Sequence, residues 1–121
     1  MKKVEEEIKQ FLEERNWTNL VPADLAKSIS IEAGELLELF QWGSPTVLEL
    51  KKDKTKMKAL EHELADVLIY AFDFSIMLGL DTEKIIRKKL THNRKKFPVK
   101  LMKKGSEHYY RVKKEYREKK K

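Results

Sequence analysis

The 121-residue chain has no cysteine, which excludes disulfides and thiolate metal sites. Glycine and proline are scarce, at four and three residues, and Gly43, Pro45, Gly79 and Pro98 stand between stretches of helical periodicity. No segment alternates as a strand does, and no internal repeat is present. A glycine-rich phosphate loop of the G-x-x-x-x-G-K type is also missing, as is a Ser/His/Asp set for covalent catalysis. The longest apolar stretch, Leu64 to Leu80, contains Asp66 and Asp73 and is shorter than the roughly 20 residues of a membrane span. The start, Met1 to Glu7, lacks the apolar core of a secretory signal. These absences point to a cytoplasmic protein with no membrane partner and one domain's worth of core.

What is abundant is charge. The net +7 is unevenly placed: residues 100–121 hold 10 Lys/Arg against 3 Glu, and residues 1–99 balance at zero. A neutral body of residues 1–99 followed by a basic tail of residues 100–121 is therefore the expected organisation. A basic body would suggest nucleic acid, whereas a short basic tail serves solubility or weak anion attraction. Nucleic acid is accordingly a disfavoured partner. The alternative from a different class is a non-catalytic nucleic-acid-binding or adaptor protein acting through the tail, where Tyr109, Tyr110 and Tyr116 stand among Lys and Arg.

Helical spacing predicts an all-α bundle of four principal helices plus a short connecting helix. The first covers residues 3–16, with Val4, Ile8, Phe11 and Leu12 on one face. Pro22 and Asp24 suit the first turn of a second helix, which ends by Trp42 before Gly43-Ser44-Pro45. Ser44-Pro45 reads as the start of the short helix through Lys52. A long helix over 55–78 stops at Gly79, another covers 82–96 before Pro98, and Glu107 to Arg117 forms a weakly amphipathic helix. Long helices rich in Leu, Ile and Phe in so small a chain predict a homo-oligomer, a dimer or a tetramer.

Two carboxylate pairs break the apolar pattern. Glu32 lies in the stripe of Leu25, Ile29, Leu36, Leu39 and Phe40, with Glu35 one turn on. Glu63 lies in the stripe of Leu60, Val67, Tyr70 and Phe74, with Asp66 one turn on. The i, i+3 spacing puts two carboxylates on one helix face, about 5–6 Å apart at Cβ. A buried carboxylate is costly unless paired or metal-bound, and no Lys or Arg accompanies these four on their faces. Glu32, Glu35, Glu63 and Asp66 thus read as ligands of a hard divalent ion, Mg²⁺ first and Mn²⁺ as its substitute. The bland reading makes them surface acids in i, i+4 ion pairs, and it fits Glu35 better than Glu32 or Glu63. Glu38 either extends the acidic line or is solvated. Asp73, two turns past Asp66, is a supporting group or a contact between copies.

Two other metal motifs fail. His62-Glu63-Leu64-Ala65-Asp66 carries Asp where a zincin helix needs its second His. No Glu is followed three residues later by His, as di-iron bundles require, and His62 reads as an exposed neighbour. A basic cluster of Arg87, Lys88, Lys89, Asn93, Arg94, Lys95 and Lys96 occupies the next helix. Lys89 and Asn93 share a face and could cradle phosphate, while Lys88, Lys95 and Lys96 fit a solvated helix C-terminus.

These residues resemble the MazG-like all-α nucleoside triphosphate pyrophosphohydrolases, particularly the small single-domain type that includes deoxycytidine triphosphate pyrophosphatases. The resemblance rests on Glu32-x-x-Glu35-x-x-Glu38, Glu63-x-x-Asp66, Glu35 through Trp42, Asp66 through Tyr70, Lys89, and Asn93 through Pro98, with Arg15-Asn16-Trp17 ahead of them. It implies hydrolysis of a (deoxy)nucleoside triphosphate to the monophosphate and pyrophosphate, with Glu32, Glu35, Glu63 and Asp66 holding Mg²⁺. It also implies triphosphate contacts from Tyr70, Lys89, Asn93 and Arg94, and a base pocket formed with Trp17 and Trp42. The duller reading of both tryptophans is as core residues. Glu38 or Glu35 is the candidate acceptor for the attacking water's proton. Related members often place His and Asn around the proline that is Pro22 here. This chain has Leu20-Val21-Pro22-Ala23-Asp24, which predicts modest discrimination among bases. Nucleotide-pool house-cleaning is the purpose the family implies.

Overall fold

Why each helix begins and ends where it does is visible in its caps. The structure, a computed structural model, describes residues 2–102 and 106–120, and every regular element among them is helical. Helix α1 (Lys2–Glu14) buries Ile8 and Leu12 and stops at Asn16, whose φ of 57° is left-handed backbone that Asn tolerates better than most residues. Helix α2 (Pro22–Glu38) opens on Pro22 after the extended Val21. Proline fits there because its missing N–H has no partner to lose. Regular helix ends at Glu38, short of the predicted Trp42. Leu39, Phe40 and Gln41 continue as tight turns, with Phe40 N–H donating to the Leu37 carbonyl at 2.9 Å.

Helix α3 (Val47–Lys52) starts later than Ser44-Pro45 predicts. Thr46 and Glu49 form a reciprocal capping box, with the Glu49 N–H donating to Thr46 Oγ1 at 3.2 Å. That satisfies donors at both ends of the box and outcompetes a start at Ser44. Asp53 then caps α4 (Lys54–Met77) by accepting from the Lys56 N–H at 3.0 Å. Gly79, at φ 68°, takes the left-handed conformation after α4, where a side chain would be strained.

Residues 1–82 and residues 83–121 form two compact units. In the first, α2 packs most extensively on α4, which α1 and α3 also contact. Its buried apolar core is small: Ile8, Leu12 and Leu25. Ile31, Leu37, Leu64 and Leu68 are large apolar side chains left exposed on α2 and α4. A buried hydroxyl relay, Ser75 to Thr82 at 2.7 Å and Thr82 to Glu5, joins the end of α4 to α1.

The second unit contains α5 (Thr82–Lys96) from Glu83 onward, α6 (Val99–Met102) and α7 (Ser106–Lys120). The boundary drawn from charge at residue 100 falls inside it. Phe97 stacks on Tyr109 at 5.1 Å, and Lys96 Nζ sits 3.5 Å from the Tyr116 ring centroid. Lys103, Lys104 and Lys121, part of the tail's charge, lie outside the described residues. Among the described residues, no helix is long and apolar enough to cross a membrane.

Candidate functional site

The packing of α2 on α4 brings acid against acid. Glu32 from α2 and Glu63 and Asp66 from α4 are half-buried, and carboxylate oxygens from all three lie within 4.8 Å of one another. Glu32 Oε2 and Glu63 Oε2 are fully buried with no hydrogen-bond partner among the described residues. Such orphaned oxygens are rare in proteins and call for a missing ligand. Burial pushes the Glu32 carboxyl up from its ordinary value, followed by hydrogen bonding and like charge from Glu35 and by the charges of Asp66 and Glu63. Burial likewise pushes Glu63 up, then Glu35; His62 opposes the rise and Asp66 adds to it. No lysine or arginine is among the groups acting on either residue.

These donors fit a hard divalent cation. All are carboxylate oxygens, the preferred ligands of Mg²⁺ and Mn²⁺, and a cation would relieve the mutual repulsion that raises Glu32 and Glu63. Glu35 is exposed and stands outside the trio, near enough to act on two of its members. His62 Nε2 lies 3.9 Å from Asp66 and is largely exposed, consistent with a neighbour rather than a ligand.

A cavity of about 760 Å³ opens beside the acids, and Asp66 borders it. Ile8 and Leu12 of α1, Leu25 of α2 and Ile69 of α4 supply its apolar wall, with Phe11, Trp17 and Tyr70 as aromatic members. Glu7, Asp24, Ser28 and Asp73 add polar groups. Size and lining are those of a small-molecule pocket. Trp17 is 47% exposed and meets Phe11 edge-on, with ring centroids 6.0 Å apart.

Trp42 follows α2, is 91% exposed, and does not border this cavity. Neither tryptophan is a core residue. Glu38 is exposed and ends α2 outside the acidic trio. Lys89, Asn93 and Arg94 stand on α5 in the second unit; Asn93 is half-buried and the other two are exposed. Sequence reasoning did not place Asp24 and Ser28 on the cavity, and it read Asp73 as a supporting group or a contact between copies rather than as a lining residue. The available signal was Asp73 itself, an acid inside the apolar run from Val67 to Ile76.

The MazG-like family model matches residues 27–112. The dCTP pyrophosphatase 1 of Mus musculus is 36% identical over 94 residues, which are 76% of this chain and 55% of that protein. Its Homo sapiens counterpart is 33% identical over 104 residues, 83% of this chain and 60% of that protein. The chain thus spans little more than half the length of these curated relatives. A crystal structure of a pyrophosphatase from Archaeoglobus fulgidus superposes with a TM-score of 0.69 at 32% identity, covering 81% of this chain and 92% of that one.

Proposed function

The chain belongs to the MazG-like family, and from that premise we propose that it hydrolyses (deoxy)nucleoside triphosphates to the monophosphate and pyrophosphate. The observation that carries this reading is the meeting of two features at Asp66. One is a carboxylate cluster with two orphaned oxygens, and the other is a nucleoside-sized apolar cavity with aromatic walls. The names of the relatives, dCTP pyrophosphatase 1 and a pyrophosphatase, support the same chemistry.

Glu32, Glu63 and Asp66, with Glu35 beside them, would hold Mg²⁺, or Mn²⁺ in its place. When bound, such an ion supplies charge neutralisation for the polyphosphate and a lowered pKa for water. The chain's own groups do the rest. Trp17 offers a ring face to the base, and Tyr70 lines the same cavity as Asp66. Water adds to phosphorus while one P–O bond of the α–β bridge breaks and pyrophosphate departs. Its proton passes to a carboxylate outside the acidic trio, Glu35 beside it or Glu38 at the end of α2. Lys89, Asn93 and Arg94 carry the donors that polyphosphate oxygens take. The exposed apolar residues of α2 and α4, set against three buried aliphatic side chains among the described residues, support assembly as a homo-oligomer. Clearing unwanted nucleotides from the pool is the role proposed for the reaction.

The test is magnesium-dependent release of pyrophosphate from a panel of nucleoside triphosphates. Glu32→Gln, Glu63→Gln and Asp66→Asn should each lose nearly all turnover while remaining folded. Full activity in folded Glu63→Gln protein would end the metal-site reading.

A further inference from the structure

Asp73 is an anomaly that the metal site does not absorb. It is only 4% exposed, yet no hydrogen bond or ion pair joins its carboxyl to any described residue. Burial is the one cause pushing it above its ordinary value. Lys9 borders a smaller recess, of about 230 Å³, on which Asp73 also opens, but the two do not pair. A buried carboxyl without a partner is costly, so it either reflects an accident or awaits a donor from a ligand. Its position argues for the second.

Asp73 lines the same cavity as Asp66 and Tyr70, with all three on α4. Seven residues of α-helix advance about 10 Å along the axis, close to the span from a nucleotide's inner phosphates to the polar edge of its base. If the phosphates lie at Asp66, the base edge reaches the level of Asp73, with Trp17 available for its face. Glu7, Asp24 and Ser28 also border the cavity, but Glu7 and Asp24 are exposed and the Ser28 hydroxyl donates to the Asp24 carbonyl at 2.9 Å. Asp73 is thus the least exposed of the lining carboxyls, and it has no partner among the described residues.

We propose that Asp73 determines base specificity by accepting a hydrogen bond from an exocyclic amino group of the substrate's base. The inference rests on the nucleotide reading of the cavity. An ionised carboxyl is an acceptor only. It takes the N4 amino group of cytosine or the N6 amino group of adenine directly. The oxo group at the same place in uracil or hypoxanthine points a lone pair at it, so the carboxyl must first take up a proton. A site built around a buried polar group rejects the analogue that leaves the group unpaired. Amino bases are therefore preferred over their oxo counterparts.

Two measurements on the full chain with Mg²⁺ test this: pyrophosphate release from dCTP, dUTP, dATP and dITP, and equilibrium binding of dCMP, dUMP, dAMP and dIMP. The parent should favour cytosine over uracil and adenine over hypoxanthine by at least about tenfold in kcat/KM and in binding. Asp73→Leu should bring both ratios close to unity, and Asp73→Asn, which retains an acceptor and adds donors, should narrow them. Melting curves establish that each variant is folded; either substitution removes an unpaired buried acid and should not lower stability. Ratios near one in the parent, or unchanged in a folded variant, overturn the proposal. Pyrophosphate release with no Asp73-dependent preference sinks this inference and leaves the enzyme reading standing. Asp73-dependent monophosphate binding without turnover sinks the enzyme reading and leaves this one. Loss of both ends both.

Discussion

Removing one carboxylate from the acidic trio should uncouple magnesium from stability. Glu63 carries an orphaned buried oxygen and is raised by burial and by its acidic neighbours, so the metal-free protein folds against that repulsion. Glu63→Gln removes a negative charge while keeping the side chain's shape, and its metal-free melting temperature should equal or exceed the parent's. A ligand bound only by the folded state adds about 2.7 kcal/mol at a hundredfold excess over its Kd. For a unit of residues 1–82, that corresponds to a rise of roughly 10–20 °C, since 1 kcal/mol moves Tm by about 4–8 °C in domains of this size. Thermal melts monitored by circular dichroism, with chelator and with saturating Mg²⁺, should show that rise in the parent and little of it in the variant. Acid should act oppositely on the two states. Because Glu32 and Glu63 sit above the ordinary 4.5 when folded, the folded metal-free protein binds protons more tightly than the unfolded chain. It should gain stability as pH falls through the folded pKa values, with the gain complete below the unfolded value. Magnesium needs the ionised carboxylates, so its stabilisation should fade over the same window. An undiminished magnesium shift in Glu63→Gln would refute the reasoning.

Trp42 is almost fully exposed, so Trp42→Ala should change stability by no more than about 0.5 kcal/mol. If its ring covers the substrate, KM should rise about tenfold for several nucleotides together, from stacking worth roughly 1–3 kcal/mol; steady-state kinetics beside a melting curve decide, and an unchanged KM removes Trp42 from the site. Deleting residues 103–121 should leave turnover within a few-fold and weaken salt-sensitive adhesion to heparin or DNA, because the tail carries the net charge. The deletion also removes Tyr109 from Phe97 and Tyr116 from Lys96, so part of the helical signal near α5 should be lost with it; abolished catalysis would show that the tail serves the reaction.

The helices were legible because their signals are local. Pro22, Asp53 and Gly79 act within one turn of themselves, and the 3.6-residue period needs no knowledge of distant chain. Small shifts arose where two local signals competed. Thr46 with Glu49 outbid Ser44-Pro45 because a reciprocal box satisfies more donors, and α2 tightened into turns after Glu38. That Glu32 meets Glu63 and Asp66 was readable from acids placed in apolar stripes. For Glu35 the sequence left both a ligand and a surface acid open, since a stripe's edge is set by how closely the facing helix approaches. The cavity was invisible because α1, α2 and α4 build it jointly. Modest base discrimination was expected from the residues around Pro22 alone, whereas Asp73 enters the cavity from a different helix.

Glu63, Asp66, Tyr70 and Asp73 follow one another on α4 at intervals of three, four and three residues. That cadence keeps them on one side of a single rod over about 15 Å. Many enzymes assemble their parts from loops, whose lengths drift freely; here four positions share one rigid frame. The turns at either end of α4 are free to change length without disturbing their mutual spacing. One residue inserted between Asp66 and Tyr70 would swing everything beyond it by about 100° and separate the acids from the cavity wall. Point replacements behave differently: exchanging the residue at position 73 changes what is read at the far end and leaves the near end in place. A reading frame of this kind allows selectivity to be altered one rung at a time while the chemistry stays fixed.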